Sequence, residues 1–324
     1  MLAASTPRAR EGLPALTARA LRSATLIAAC AATLACTKRQ GPLPLCLVET
    51  LEPGATRELP PELWFGSLLP DYVRDTRRVP QPTRDCTGAP VAWPDDRSCP
   101  ASSAATPAPA RPLGPDDLVL QPIDDKTTLV WIVTQRFTDG DGLGPAALIE
   151  WSARGFVVRA VGPLRAPVAS AQLRLEPLGK HQALVVDAER CADGACRPIT
   201  VLVPLLAGRF TPMSVLGEAG RCDGPAEFDR ARVASTASAS MQRRFTLSAA
   251  LRFETEHLYI DEQVVVVDRD PARPEAPDRE FRRVAHTRTI SLKSGRLVGD
   301  RAALWPRVVA IEARVDGGPR TTKP

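Results

Sequence analysis

Phe245, Leu247, Ala249, Leu251 and Phe253 place an apolar side chain at every second position, with Thr246, Ser248 and Arg252 among the residues between them and Glu254 beyond. In an extended chain successive side chains point to opposite faces, so this run makes a strand with one buried and one solvated face. One-sided burial of that kind belongs to antiparallel sheet. A helix would scatter the same residues around its circumference, so the run excludes a helical reading of this region.

Other stretches repeat the pattern. Residues 128–134 form a β-branched, tryptophan-bearing run; Ala171, Leu173 and Leu175 alternate with Gln172, Arg174 and Glu176; Ile199, Val201, Val203 and Leu205 continue it. Val264 to Val267 is continuous and apolar, as in an interior strand. Turn signals separate the runs: Asp139-Gly140-Asp141-Gly142, Asp193-Gly194, Ala207-Gly208 and Ser294-Gly295. No helical period of comparable length is present. Residues 220–240 read as a long loop and residues 308–315 as a closing strand. The expected fold is all-β, an antiparallel meander, barrel or sandwich. A weak similarity between residues 129–162 and 184–217, with a fainter third copy from Leu258 to Leu297, leaves propeller-like repeats as the alternative, although so few units cannot close a propeller.

The chain starts with a basic stretch holding Arg8, Arg10, Arg19 and Arg22 against Glu11. An uncharged run from Ser23 to Ala35 follows, and small residues precede Cys36. These are the parts of a secretory signal, and the run is shorter than the roughly 20 apolar residues a membrane span needs. Thr33-Leu34-Ala35-Cys36 resembles the lipobox of bacterial lipoproteins, in which the cysteine becomes the lipidated first residue of the mature chain. Ile27-Ala28-Ala29-Cys30 is the competing match, but it leaves a shorter apolar run. The resemblance implies a lipid anchor at Cys36. With Thr37 rather than aspartate behind it, the implied destination is the outer membrane, facing the periplasm or the cell surface. It covers the leader alone and implies nothing of the domain behind it.

Removing a leader with four arginines and one glutamate lowers the formal net charge from +5 to +2. That is too little for a nucleic-acid footprint, and the basic residues cluster on no one segment. Thirty-two prolines and 5% aromatics describe many loops around a modest core.

Compartment decides how the cysteines read. With Cys30 in the leader and Cys36 lipidated, Cys46, Cys86, Cys99, Cys191, Cys196 and Cys222 remain, an even set that allows up to three disulfides in 15 complete pairings. Cys191 and Cys196 flank Ala-Asp-Gly-Ala at a predicted hairpin tip and suit a cross-hairpin bridge. A loop closed by Cys86 and Cys99 would gain roughly 3 kcal/mol in the chain-entropy model; Cys46 with either of them competes. Cys222 then needs a distant partner, and Cys46 would staple the N-terminal segment to the β domain.

The domain layout expected is a signal peptide over residues 1–35, an irregular cysteine-bearing segment over 36–99, a Pro/Ala-rich linker over 100–116, an antiparallel β domain over 117–315 and a disordered tail over 316–324. Within the second part, Pro60-Pro61-Glu62 opens a short helix through Trp64 toward Asp75, limited or kinked at Pro70.

Motifs that specify chemistry are missing. Zinc at Cys191 and Cys196 would need a second close ligand pair. Asp139 and Asp141 faintly resemble the calcium loops of exported β-repeat proteins but lack the distal bidentate carboxylate, and a hairpin turn accounts for them. His181, His257 and His286 lie in or beside predicted strands, outside any catalytic motif, and there is no Gly-x-Ser-x-Gly, His-Glu-x-x-His or Walker loop. Asp261, Glu262 and Asp268 read as solvating one sheet face. No catalytic, metal or cofactor residue is assigned. The expected function is binding or scaffolding by a membrane-anchored envelope protein, with a protein or glycan partner and no nucleic acid. An envelope hydrolase with a loop-built site is the alternative.

Overall fold

A computed structural model describes residues 45–48, 59–94, 99, 105–152, 155–192, 194–217, 220–237, 241–273 and 275–312. The leader with Cys30 and Cys36, the start of the expected linker at 100–104, and the expected tail at 316–324 lie outside them.

In chain order the elements begin with strand β1 (Cys46–Val48), helix α1 (Pro61–Leu68) and a 3-10 turn (Pro115–Asp117). Then follow β2 (Leu118–Pro122), β3 (Thr127–Ile132), β4 (Gln135–Arg136), β5 (Asp141–Ser152), β6 (Gly155–Pro167) and β7 (Gln172–Leu178). Next come β8 (His181–Ala192), β9 (Ala195–Leu206), β10 (Arg209–Phe210), β11 (Ser214–Leu216), β12 (Cys222–Pro225), β13 (Glu227–Asp229) and β14 (Ala231–Ala237). The chain ends on β15 (Gln242–Phe253), β16 (Leu258–Arg269), β17 (Arg279–Lys293), β18 (Arg296–Gly299) and helix α2 (Leu304–Glu312). The fold is all-β, in two antiparallel-rich sheets.

The first sheet runs β2-β3-β5-β6-β10-β9-β8-β7, with β1 on β6, β4 on β5 and β13 on β9. Its end strands β2 and β7 touch, so it curls into a nearly closed barrel. Leu129, Trp131, Ala146, Leu148, Leu184, Val186, Ile199, Val201 and Val203 fill the interior. The alternate residues Val130, Ile132, Ala147, Ile149, Phe156 and Val158 point outward, yet they are buried too, because α1 brings Trp64, Phe65 and Leu68 onto them. Trp64 stacks on Phe156 at 5.1 Å. Each such side chain contributes about 1.5–3 kcal/mol on burial, which is why the cysteine-bearing segment clings to the barrel. The second sheet, β12-β11-β18-β17-β16-β15-β14, sets Leu258, Ile260, Ile290 and Leu297 against the outer face of β8 and β9 at Ala183, Val185 and Leu202. Its own other end is covered by Leu304, Trp305 and Val308 of α2.

The alternating runs become β3, β7, β9 and β15, and the Val264 to Val267 run lies in β16, an interior strand of its sheet. Ala207-Gly208 and Ser294-Gly295 are two-residue turns with φ positive at both positions, the mirror-type geometry that matches strand twist. The two similar stretches are therefore hairpins of the first sheet, the second running on into β11 of the other sheet, and the fold is barrel- or sandwich-like rather than propeller-like.

Four other expectations are corrected. Residues 105–116 are no free linker: Ala108 N–H bonds Arg136 O at 2.7 Å, Thr138 N–H bonds Thr106 O at 3.1 Å, and Leu113 is buried beside α1. The boundary drawn there disappears, since the described residues on either side of it belong to one compact unit. The long loop at 220–240 contains β12, β13 and β14; its Ala, Ser and Thr residues suit a half-exposed edge strand, and β14 pairs with β15 from Ala231↔Ser248 to Ala237↔Gln242. The closing strand at 308–315 is instead the end of α2 through Glu312, with residues beyond it outside those described. Leu304, Trp305, Val308 and Glu312 make one buried helical stripe, and burial of that stripe outweighs the weak strand preference of Val308 and Val309. Pro306 sits in the first turn, where its missing N–H costs nothing.

Disulfides join Cys191 to Cys196, the expected cross-hairpin bridge, Cys46 to Cys86, one of the competing pairings, and Cys99 to Cys222, which is the fourth departure from expectation. The Cys86–Cys99 loop and the Cys46–Cys222 staple are not formed. Cys46 lies on β1, paired opposite Val158 of β6, and both it and Cys86 pack on the cluster around α1. Cys99 meets β12 instead, so the staple to the β domain exists, made by a different cysteine.

Candidate functional site

Polar residues gather where β5 begins, β6 ends, and the β8–β9 hairpin turns. Asp139 Oδ1 accepts the Asp141 N–H at 3.1 Å, and Gly140, at φ +85°, lets the chain reverse. The turn delivers the Asp141 carboxylate into a buried position, 2% exposed. Arg165 Nε donates to its Oδ2 at 3.0 Å and Arg190 Nη2 to its Oδ1 at 3.1 Å. The same Arg190 nitrogen reaches Glu227 Oε2 on β13 at 2.9 Å. The guanidinium carbon of Arg165 sits over the Phe137 ring, 4.1 Å from its centre.

Two carboxylates thus share one guanidinium. A cavity of about 20 Å³ adjoins them, bounded also by Trp93, Met213 and Pro225, a volume that suits a single water. Burial pushes the Asp141 carboxyl above its ordinary value; Arg190 opposes this and neighbouring Asp139 reinforces it. Glu227 is pushed up in the same way, by burial first, with Arg190 opposing and Asp141 reinforcing. The cluster is a packed plug rather than an open pocket. The faint calcium-loop pattern is thereby accounted for: Asp139 closes the turn and Asp141 faces arginines. Among the described residues no group of three or more His, Cys, Asp or Glu side chains converges as a metal site.

The histidines separate. His181 starts β8 opposite Leu178 and is exposed. His257 Nδ1 is 3.0 Å from Ser291 Oγ, while the carboxylate paired with its other nitrogen, Glu256, is 3.8 Å away and 81% exposed. His286 Nε2 is 3.0 Å from Glu262 Oε2. His257 thus has a hydroxyl at hydrogen-bond distance and a carboxylate only at ion-pair distance, whereas His286 has a carboxylate within hydrogen-bond distance.

The reading of Asp261, Glu262 and Asp268 as one solvating set is corrected by register. Asp261 faces outward, bonded by Arg252 at 2.9 Å and Thr287 at 2.5 Å. Glu262 faces inward at 5% exposure and takes Arg288 Nε at 2.9 Å. Asp268 binds Arg243 at 2.6 Å. Period two already placed Glu262 with Ile260 and Val264, so the signal was present.

A more open feature lies at the β15–β16 turn. Pro177, Phe253, Glu254, Thr255, Glu256, His257 and Tyr259 line a recess of about 550 Å³. Arg174 covers one face of Phe253 and Arg252 one face of Tyr259. The volume of the recess is that of a small-ligand site, but Glu254, Thr255, Glu256 and His257 make its lining more polar than apolar, and it opens to solvent. Of the recess residues the sequence presents Phe253 and Glu254 only as part of an alternating strand and His257 only as a histidine outside any motif, because a turn of Glu-Thr-Glu reads as ordinary solvated loop.

Comparison with protein-family models, with curated proteins and with solved structures finds no match to this chain.

Proposed function

We propose that the chain is an exported, lipid-anchored envelope protein whose β domain binds a protein or glycan partner. The observation that carries the reading is the pairing of Cys46, Cys86, Cys99, Cys191, Cys196 and Cys222 into three bridges. Every cysteine behind Cys36 is used, as suits an oxidising compartment, and Cys36 is left for the lipid. The partner-binding half rests on the recess beside Tyr259 and His257, presented on a stapled double sheet, since loops on rigid scaffolds carry binding.

Metabolic labelling with a fatty acid tests the anchor: wild type takes up label and Cys36→Ser does not. An unlabelled wild type overturns it. Titration calorimetry with soluble envelope glycans tests the recess, wild type against Tyr259→Ala. Equal heats from the two proteins would remove the recess as the binding surface.

A further inference from the structure

The three bridges are not equivalent. Cys46–Cys86 and Cys99–Cys222 span 40 and 123 residues, and their cysteines are buried or half-buried. Cys191–Cys196 spans 5 residues, and both cysteines are exposed. They are direct partners in register, between Arg190↔Arg197 and Ala192↔Ala195, with Cα atoms 4.0 Å apart.

The hairpin tip also stands clear of its sheet. On one side β8 pairs with β7 only as far as Asp187↔Gln172; on the other, β9 pairs with β13 only as far as Ile199↔Asp229. Pro198 O still accepts the Arg230 N–H at 2.9 Å, but residues 191, 192 and 194–196 are all exposed, so the bridge lies in the exposed end of the hairpin. Its base is fastened without the bridge: Arg190 holds Asp141 and Glu227, Arg197 holds Asp229 at 3.3 Å, and Ser170 Oγ takes the Glu189 N–H at 2.8 Å. A bond that closes a short loop in a ribbon already zipped by its backbone adds little to the fold, and exposed disulfides are the exchangeable ones.

We infer that Cys191–Cys196 is a thiol–disulfide exchange site that reacts with dithiols while the fold persists. A thiolate of the dithiol attacks one exposed sulfur in line with the S–S bond. That bond breaks, and the second sulfur leaves as a thiolate and takes a proton. The reagent's other thiol then displaces the mixed disulfide. The dithiol loses two electrons and two protons, which the cysteine pair gains.

The test uses the full chain without denaturant, in stepwise increasing dithiothreitol, followed by acid quench, alkylation and peptide mapping. Cys191 and Cys196 are expected to reach half-labelling at about tenfold less reagent than the other four cysteines, with the β circular dichroism unchanged at that point. Joint labelling of all six cysteines, or labelling of this pair last, overturns the inference. A Cys191→Ser/Cys196→Ser double variant is expected to melt with the wild-type midpoint. Loss of a cooperative melt would show that the bridge holds the fold and would equally overturn it.

Discussion

Glu262 Oε2 accepts the backbone N–H of Leu304 at 2.7 Å, so a carboxylate from the middle of β16 caps the first turn of α2. The other end of the helix meets a cation: Arg243 Nη1 donates to the Glu312 carbonyl at 3.0 Å. Negative charge at the N-terminus and positive charge at the C-terminus both complement the helix dipole. Sheet side chains thereby fix a nine-residue helix, too short to be stable alone, over Phe245 and Val264. The same Glu262 neutralises Arg288 and bonds His286, in the gap between two apolar clusters.

Removing that carboxylate strands Arg288, which is 6% exposed. Glu262→Ala is expected to cost about 3–5 kcal/mol, the usual penalty for leaving a buried charge unpaired. Glu262→Gln keeps an acceptor for the Leu304 N–H and should cost less. Urea unfolding at unchanged slope measures both.

The Arg190 cluster predicts a pH dependence. Asp141 and Glu227 have folded-state values raised above 3.8 and 4.5, their ordinary values. The folded state therefore binds more protons than the unfolded one in the window just above those values, and stability falls as pH rises through it. Exposed acids with lowered values, Asp261 and Glu280 among them, slope the other way. They cancel in a comparison of wild type with Asp141→Asn/Glu227→Gln. The difference in urea midpoint between the two proteins should change across that window, with the wild type losing ground as pH rises.

What the sequence made legible follows from where the stabilising interaction is local. Period two exposed β3, β7, β9 and β15 because each strand buries one continuous stripe. The Cys191–Cys196 bridge could be read from spacing, because a hairpin places both cysteines opposite each other. Pro60-Pro61-Glu62 marked the start of α1 for the same reason, although the helix stops at Leu68 rather than running toward Asp75. The rest depended on distant surfaces. β14 has few large apolar residues, and its register comes from β15. α2 owes its position to Glu262 and Arg243, far away in the chain. The Asp141 cluster needed Arg165, Arg190 and Glu227, brought together from three strands, and neither composition nor spacing links them.

The long-range bridge gives a third prediction. Cys99–Cys222 ties the segment before the barrel to the edge of the second sheet, across 123 residues. Cys99→Ser/Cys222→Ser should lower unfolding free energy by about 3–5 kcal/mol, in the upper range for disulfides because the loop is long. A non-reducing peptide map of the wild type checks the pairing directly: it should yield Cys99 linked to Cys222 and Cys46 linked to Cys86.

Gly162 gives the last prediction. It lies on β6 where β10 crosses alongside, the register pairing Arg209 with Val161. A Cβ built on Gly162 would overlap the carbonyl oxygen of Phe210. The obstacle is strand backbone, which cannot rotate aside as the end of a side chain can. Phe210 is itself 1% exposed, its ring packed into the barrel interior. Moving its carbonyl would therefore also move a core aromatic. Gly162→Ala is expected to cost about 3 kcal/mol, the upper part of the range for overpacking. Gly179→Ala, in the β7–β8 turn where nothing lies within 4 Å of the new carbon, serves as the control. That residue has φ +68°, so it should cost only about 1 kcal/mol from backbone strain. Thermal melts of the two variants beside wild type decide the point: a larger loss at Gly179 than at Gly162 would mean that β10 does not run against β6 as described.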